Sequence, residues 1–293
     1  MTADLHTIRD FLRYAVSCFT RGGLYFGHGA GTALDEAAFL ILESLSLPID
    51  DVNPWLDARL TAAEKTRLTD LIEARVATRK PAAYLVNKSY VQGVPFYVDE
   101  RVIVPRSYIG EILAGEPAFL PAPSDVRTIL DLCTGSGCLA ILAALAYPEA
   151  EVHAADISAD ALEVARRNLA DHGLCDRITL HEGDLFEPLG ARRFDLILTN
   201  PPYVDAQAMA ALPPEFRAEP ALALAGGEDG LDIVRRILAQ APQRLNAGGG
   251  ILCEFGTGRE ILEAEYAHLD FFWPASEDGE DEVFWLPREA FAG

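Results

Sequence analysis

The sequence predicts an α/β protein whose main part is a doubly wound parallel sheet, preceded by a small helical domain and a β-hairpin linker. Two observations carry the main prediction. After residue 127 strand-like and helix-like runs alternate, the pattern of a sheet covered by helices on both faces. The first of those strands runs straight into the glycine-rich stretch Asp131-Leu-Cys-Thr-Gly-Ser-Gly-Cys-Leu-Ala140 and then a helix, and open α/β sheets hold their ligands at such strand ends. A third observation sets the boundary: up to about residue 80 the apolar residues repeat only at helical spacing.

Taken in order, Ile8, Phe11, Leu12, Ala15 and Phe19 fall on one face of a first helix, and residues 35–45 form a second. Thr61-Ala-Ala-Glu64 is a capping box opening a third helix, which Pro81 ends. Residues 1–82 are therefore expected to be a helical domain. Residues 83–106 alternate β-branched and aromatic positions around Gln92-Gly93, which predicts a hairpin and assigns 83–107 to the linker. In the remainder, 108–293, strands are expected at 128–133, 151–157, 177–182, 194–200 and 249–256, with helices at 158–173 and 229–245 between them. Residues 270–276 and 281–287 are expected to add an antiparallel edge.

At 293 residues the chain has room for two domains. No apolar run reaches membrane-spanning length, and the start of the chain has acids and helical periodicity where a signal peptide has a basic end, so a cytoplasmic protein without membrane attachment is expected. The five cysteines form no C-x-x-C pair and the six histidines show no ligand spacing, which supports neither a disulfide framework nor a metal site. The net charge of -21 opposes a phosphate backbone, so direct DNA binding is not expected. It attracts a basic protein, or it serves only as a solubilising surface.

The glycine stretch fits the dinucleotide fingerprint through Gly135-Ser-Gly137-Cys-Leu-Ala140, a pattern with many false positives. Asp156, closing the second strand of the sheet, suits the two ribose hydroxyls of any nucleoside. What favours S-adenosylmethionine over NAD is acidity beside the loop: Asp131 would oppose a pyrophosphate but suits an ammonium, and Asp184 follows the third strand. The fourth strand, 194–200, ends on Asn200 and runs into Pro201-Pro202-Tyr203. A planar amide or aromatic NH₂ offers two donors, which the Asn200 side-chain oxygen and the Pro201 carbonyl can accept. The two prolines fix those acceptors and Tyr203 covers the planar group. That arrangement resembles the amino-group methyltransferases, both those acting on DNA adenine and those acting on protein glutamine.

Residues 98–107 (VDERVIVPRS), 131–141, TNPPYV at 199–204 and EPALALAGGEDGLDIVRRIL at 219–238 together resemble the HemK-type protein glutamine methyltransferases. Within them YFGHG (25–29), DEA (35–37) and Cys133 are similar to the branch that methylates a glutamine of the third large-subunit ribosomal protein. The resemblance implies a Rossmann-like S-adenosylmethionine-dependent methyltransferase domain. It implies methionine and ribose contacts from Thr134, Gly135, Ser136, Gly137, Cys138 and Asp156, adenine contacts near Asp184 and Leu185, and glutamine contacts from Asn200 to Tyr203. The expected partner is that basic ribosomal protein, met before assembly and recognised by the helical domain. Peptide-chain release factors are the alternative substrate, and a noncatalytic S-adenosylmethionine-binding protein of the ribosome the alternative class. Tyr108 stands where the family is expected to carry proline, and Cys133 where the general methyltransferase loop has its first glycine. Phe96 resembles an aromatic that leans over the family's site, or it packs between domains. Pro213-Pro214-Glu215-Phe216 belongs to a substrate-facing loop or to a solvated crossover.

Overall fold

The fold is known from a computed structural model that describes residues 4–275 and 281–292. Helix α1 (Ile8–Arg21) buries the five expected apolar residues, and Thr7 caps it in a reciprocal box with Asp10. Helix α2 (Ala33–Ser44) packs against it, and α3 (Ala62–Thr78) opens on the Thr61/Glu64 capping box. Arg79, left-handed at φ 61°, closes α3 before Pro81. Their shared core runs from Leu5 to Ala82.

The linker differs from the expected long hairpin. Residues Ala82–Val86 form a short helix, α4, because Pro81 can start a helix as readily as it stops one. The hairpin itself is only β1 (Ser89–Val91) and β2 (Val94–Phe96), joined by Gln92 and Gly93, both at positive φ as a tight two-residue turn requires. Residues 97–107 contain no strand, and α5 (Tyr108–Ala114), which the sequence pattern did not suggest, follows them.

The large sheet contains the five expected parallel strands: β3 (Thr128–Leu132), β4 (Glu151–Asp156), β5 (Ile178–Glu182), β6 (Phe194–Thr199) and β7 (Leu245–Glu254). An antiparallel β8 (Val283–Pro287) completes it, in the order β5-β4-β3-β6-β7-β8. Of the expected 270–276 strand only Phe272 pairs, as a single bridge to Trp285, and Ser276 lies outside the described residues. The connecting helices are α6 (Cys138–Ala146), α7 (Ala159–Asp171), α8 (Ala206–Ala211), α9 (Asp232–Arg244) and α10 (Arg259–Glu265).

Strand side chains alternate between two cores, as the pleat dictates. Ile129, Leu196 and Leu198 join α5 and α6 on one face, while Leu130, Leu132 and Ile197 join α9 on the other. The hairpin residues Val91 and Phe96 pack into the first of these cores. Strand order reverses at β3, between β4 and β6, so the carboxyl ends of these strands frame the crevice where a ligand is expected. Among the described residues no helix is long and apolar enough to cross a membrane.

Candidate active site

At that crevice lies a cavity of about 270 Å³. Gly135, Asp156, Asp184, Leu185 and Asn200, all singled out from sequence, line it. The other five expected cofactor residues, Asp131, Thr134, Ser136, Gly137 and Cys138, are buried and do not line it. The reason is local. The chain turns from β3 into α6 within a few residues, and Gly137, at φ 79°, approaches α7 so closely that an added Cβ would sit 3.2 Å from the Ala165 methyl.

Asp131 spends one oxygen on this turn: its Oδ2 accepts from the Thr134 hydroxyl at 2.5 Å and from the Ala140 N–H at 3.0 Å. Its Oδ1 is buried without a hydrogen-bond partner, and burial pushes the carboxyl up to about 7. Asp156 shows a related economy. One oxygen accepts from the Gly135 N–H (2.8 Å) and the other from the Ser158 N–H (2.9 Å), and burial raises its pKa despite these bonds. A carboxylate has about four acceptor sites, so about two remain for a pair of hydroxyls. Asp184 forms an ion pair of 2.5 Å with Arg236 of α9, which also lines the cavity. The exposed Ile157, together with Leu185, Leu222 and Ile233, supplies apolar wall. Asp156 keeps acceptors for paired hydroxyls and these walls suit a flat apolar group, so the lining fits the nucleoside of S-adenosylmethionine, while Asp131, expected to face its ammonium, lies behind the lining.

A second cavity, of about 160 Å³, adjoins the first. Along the extended Asn200–Tyr203 segment the lining alternates: Asn200 faces both cavities, Pro201 the smaller, Pro202 the larger and Tyr203 the smaller. Among the described residues, only Ile103 and Ala223 line both besides Asn200. Val204 pairs with Ala225 of the returning loop, and Gly226 lies so close to Tyr203 that an added Cβ would stand 2.6 Å from its Cα. Phe216 lines the smaller cavity, so the proline-rich loop faces the site rather than crossing over in solvent.

Tyr203 also contacts a residue not found from sequence. Its hydroxyl donates to Glu254 Oε1 at 3.2 Å, while Glu254 Oε2 accepts from the Ser107 hydroxyl (2.6 Å) and the Tyr108 N–H (3.1 Å). Burial outweighs these bonds and pushes the Glu254 carboxyl up to about 7. The signal was present, a lone acid within the apolar run ILCEF, but it was absorbed into a strand. Tyr108 supplies an N–H that a proline there would lack. Cys133 adopts φ 58°, a left-handed backbone that side chains other than glycine rarely take. Phe96 lines neither cavity. It is buried in the core of the sheet, with its ring 5.5 Å from that of His172, so it packs within the sheet domain rather than leaning over the site or bridging to the helical domain.

Known proteins place this geometry in context. The methyltransferase small domain family model matches residues 118–227. A crystal structure of a methyltransferase from Pyrococcus furiosus shares the fold with a TM-score of 0.50 at 15% identity, covering 78% of this chain and 99% of that one. Two proteins named ribosomal protein uL3 glutamine methyltransferase are far closer in sequence. That of Bradyrhizobium diazoefficiens is 58% identical, covering 97% of this chain and 91% of its own, and that of Bordetella pertussis is 51% identical, covering 98% and 96%. Identity of that order over nearly the whole of each chain means that this protein belongs to the ribosomal protein uL3 glutamine methyltransferase family.

Proposed function

We propose that the chain transfers a methyl group from S-adenosylmethionine to the side-chain amide nitrogen of a glutamine in ribosomal protein uL3. The observation that carries this reading is Asn200, among the described residues the one polar side chain shared by the larger, nucleoside-sized cavity and the smaller one. When bound, S-adenosylmethionine supplies an electrophilic methyl: the nitrogen lone pair forms the new N–C bond, the C–S pair stays on sulfur and the nitrogen's proton leaves to water.

The residues of this chain prepare the nitrogen. An amide lone pair is delocalised, so it is a poor nucleophile until the NH₂ group is held out of plane. Asn200 and the Pro201 carbonyl accept its two hydrogens, and the fixed φ of Pro201 and Pro202 keeps both acceptors convergent. Catalysis is then positioning and preorganised polarity, without a general base. Tyr203 and Phe216 wall the smaller cavity around the amide.

The helical unit of α1–α3 recognises the protein substrate. An excess of 45 acids over 24 bases steers a basic ribosomal protein in the cytoplasm, best before assembly, since the ribosome would present phosphate instead. The test is methyl incorporation, by mass spectrometry, into isolated uL3, assembled large subunits, release factors and duplex DNA in one buffer. Labelling of isolated uL3 on glutamine is expected. Labelling chiefly of release factor or DNA would refute the assignment.

A further inference from the structure

We propose that Glu219 is a positioning residue for methyl transfer: it fastens the linker to the loop that returns after α8, and so fixes the gap between Ile103 and Ala223. The proposal rests on the functional reading above. Ile103 and Ala223 are, with Asn200, the described residues that line both cavities, and they form the two apolar posts of the passage between donor and amide. One post belongs to the linker and the other to the returning loop. Neither segment is a strand of the large sheet, so no ladder of hydrogen bonds sets their separation.

Glu219 supplies that connection. Its Oε1 accepts from the Val104 N–H at 2.9 Å, next to Ile103, and from Arg106 Nη1 at 2.6 Å, while Oε2 accepts from Arg106 Nη2 at 2.8 Å. The pair is two-pronged, the geometry in which Arg and carboxylate bind most strongly and directionally. Its side chain is fully buried. Burial alone would push the Glu219 carboxyl up, but His28 and Arg106 hold it down to about 2. The Arg106 guanidinium also lies over the Phe216 ring, 5.5 Å from its centroid, which ties the pair to the wall of the smaller cavity.

The helical unit reaches the same fastener. His28 Nε2 stands 3.6 Å from Glu219 Oε2, and its ring packs on Phe216 at 4.2 Å between centroids. Four residues upstream, the buried Glu215 accepts from the Tyr25 N–H (3.1 Å) and Arg79 (2.9 Å). The 215–219 turn is therefore held at one end by the helical unit and at the other by the linker. A misplacement of reacting groups by about 1 Å can cost on the order of 10²-fold in rate. Loosening this turn acts on that scale while leaving the amide acceptors, Asn200 and the Pro201 carbonyl, in place, although Arg106 and Phe216 line the smaller cavity.

The test compares Glu219→Gln and Arg106→Lys with the parent enzyme. In ligand-free protein, hydrogen–deuterium exchange is expected to speed up at 101–106 and 216–225 while β3, β4 and β6 stay protected. With isolated uL3, kcat is expected to fall about 10–10²-fold with KM changed little, Arg106→Lys showing the milder loss because it keeps the cation. Parent-like exchange and kcat, loss confined to KM, or loosening of the whole sheet would each overturn the proposal. Should Glu219→Gln fail to fold, the folded Arg106→Lys enzyme decides by the same criteria. Inactivity of the parent on uL3 would defeat the functional reading, whereas the exchange pattern would still report on Glu219.

Discussion

Glu254 offers a quantitative test of how the floor of the substrate cavity is built. Its carboxyl is raised from the usual 4.5 to about 7, mainly by burial and, less, by the nearby Glu282 charge, against bonds from Ser107, Tyr203 and the Tyr108 N–H. A group whose folded pKa is raised keeps its proton in the native state while the unfolded chain loses it. Stability from this group is therefore fully present below about pH 4.5, declines as pH rises to about 7, and is level above that. At about 1.4 kcal/mol per pK unit the loss amounts to about 3 kcal/mol. Glu254→Gln imitates the protonated acid: its oxygen can accept from Ser107 and Tyr108, and its NH₂ can donate to the Tyr203 oxygen. The variant should match the parent near pH 4.5 and exceed it by up to about 3 kcal/mol at pH 8, because Asp131 and Asp156, also raised by burial, titrate in both proteins and cancel. Urea denaturation at half-unit pH steps measures the difference. A gap that does not change with pH, or one that narrows as pH rises, would refute the assignment of a protonated buried acid.

Two further substitutions separate the cavities. Asn200→Ala should leave S-adenosylmethionine affinity nearly intact yet depress methyl transfer by about 10²–10³-fold, the usual cost of one preorganised polar group; near-normal turnover in a stopped radiolabel assay would remove Asn200 from the mechanism. Asp156→Ala should weaken S-adenosylmethionine binding by about 1.5–3 kcal/mol for each charge-assisted bond lost, and it also frees the Gly135 N–H, loosening the loop; unchanged affinity by calorimetry would show that Asp156 only braces that loop.

What could be read from sequence was what short-range chemistry determines. Alternation of strands and helices, the Thr61/Glu64 box and the stop at Asn200-Pro201-Pro202 each act within a few residues, and the structure places all of them where the pattern did. Short-range rules also explain the errors. The 83–106 alternation satisfied a strand template, but only six of its residues pair, since Pro81 nucleates α4 and the stretch after β2, which turns at 99–102, packs unpaired against α7. Asp131, read as a ligand for a cation, also serves the β3–α6 turn, because a strand that enters a helix so directly needs an acceptor for the helix N–H groups.

The closure of the site was not legible because its parts are far apart in sequence. Arg106 and Glu219 are separated by 113 residues, and Ser107 and Glu254 by 147, yet the first pair reaches the wall of the smaller cavity through Arg106 and the second braces its Tyr203. An acid in a proline-rich segment and an acid in an apolar strand look like a solvated charge and a misfit when read alone. Burial without a partner would make either costly, so each must find donors, and the donors lie in the linker between the helical unit and the sheet. That is why residues 103–108, where the linker runs into α5, rather than the helical unit alone, are proposed to couple substrate-side and cofactor-side geometry. Ile103 faces both cavities, Val104 and Arg106 hold Glu219, and Ser107 and Tyr108 hold Glu254, which in turn holds Tyr203. On the proposed reading, a six-residue segment without strand pairing sets the spacing between the two cavities through two buried carboxylates.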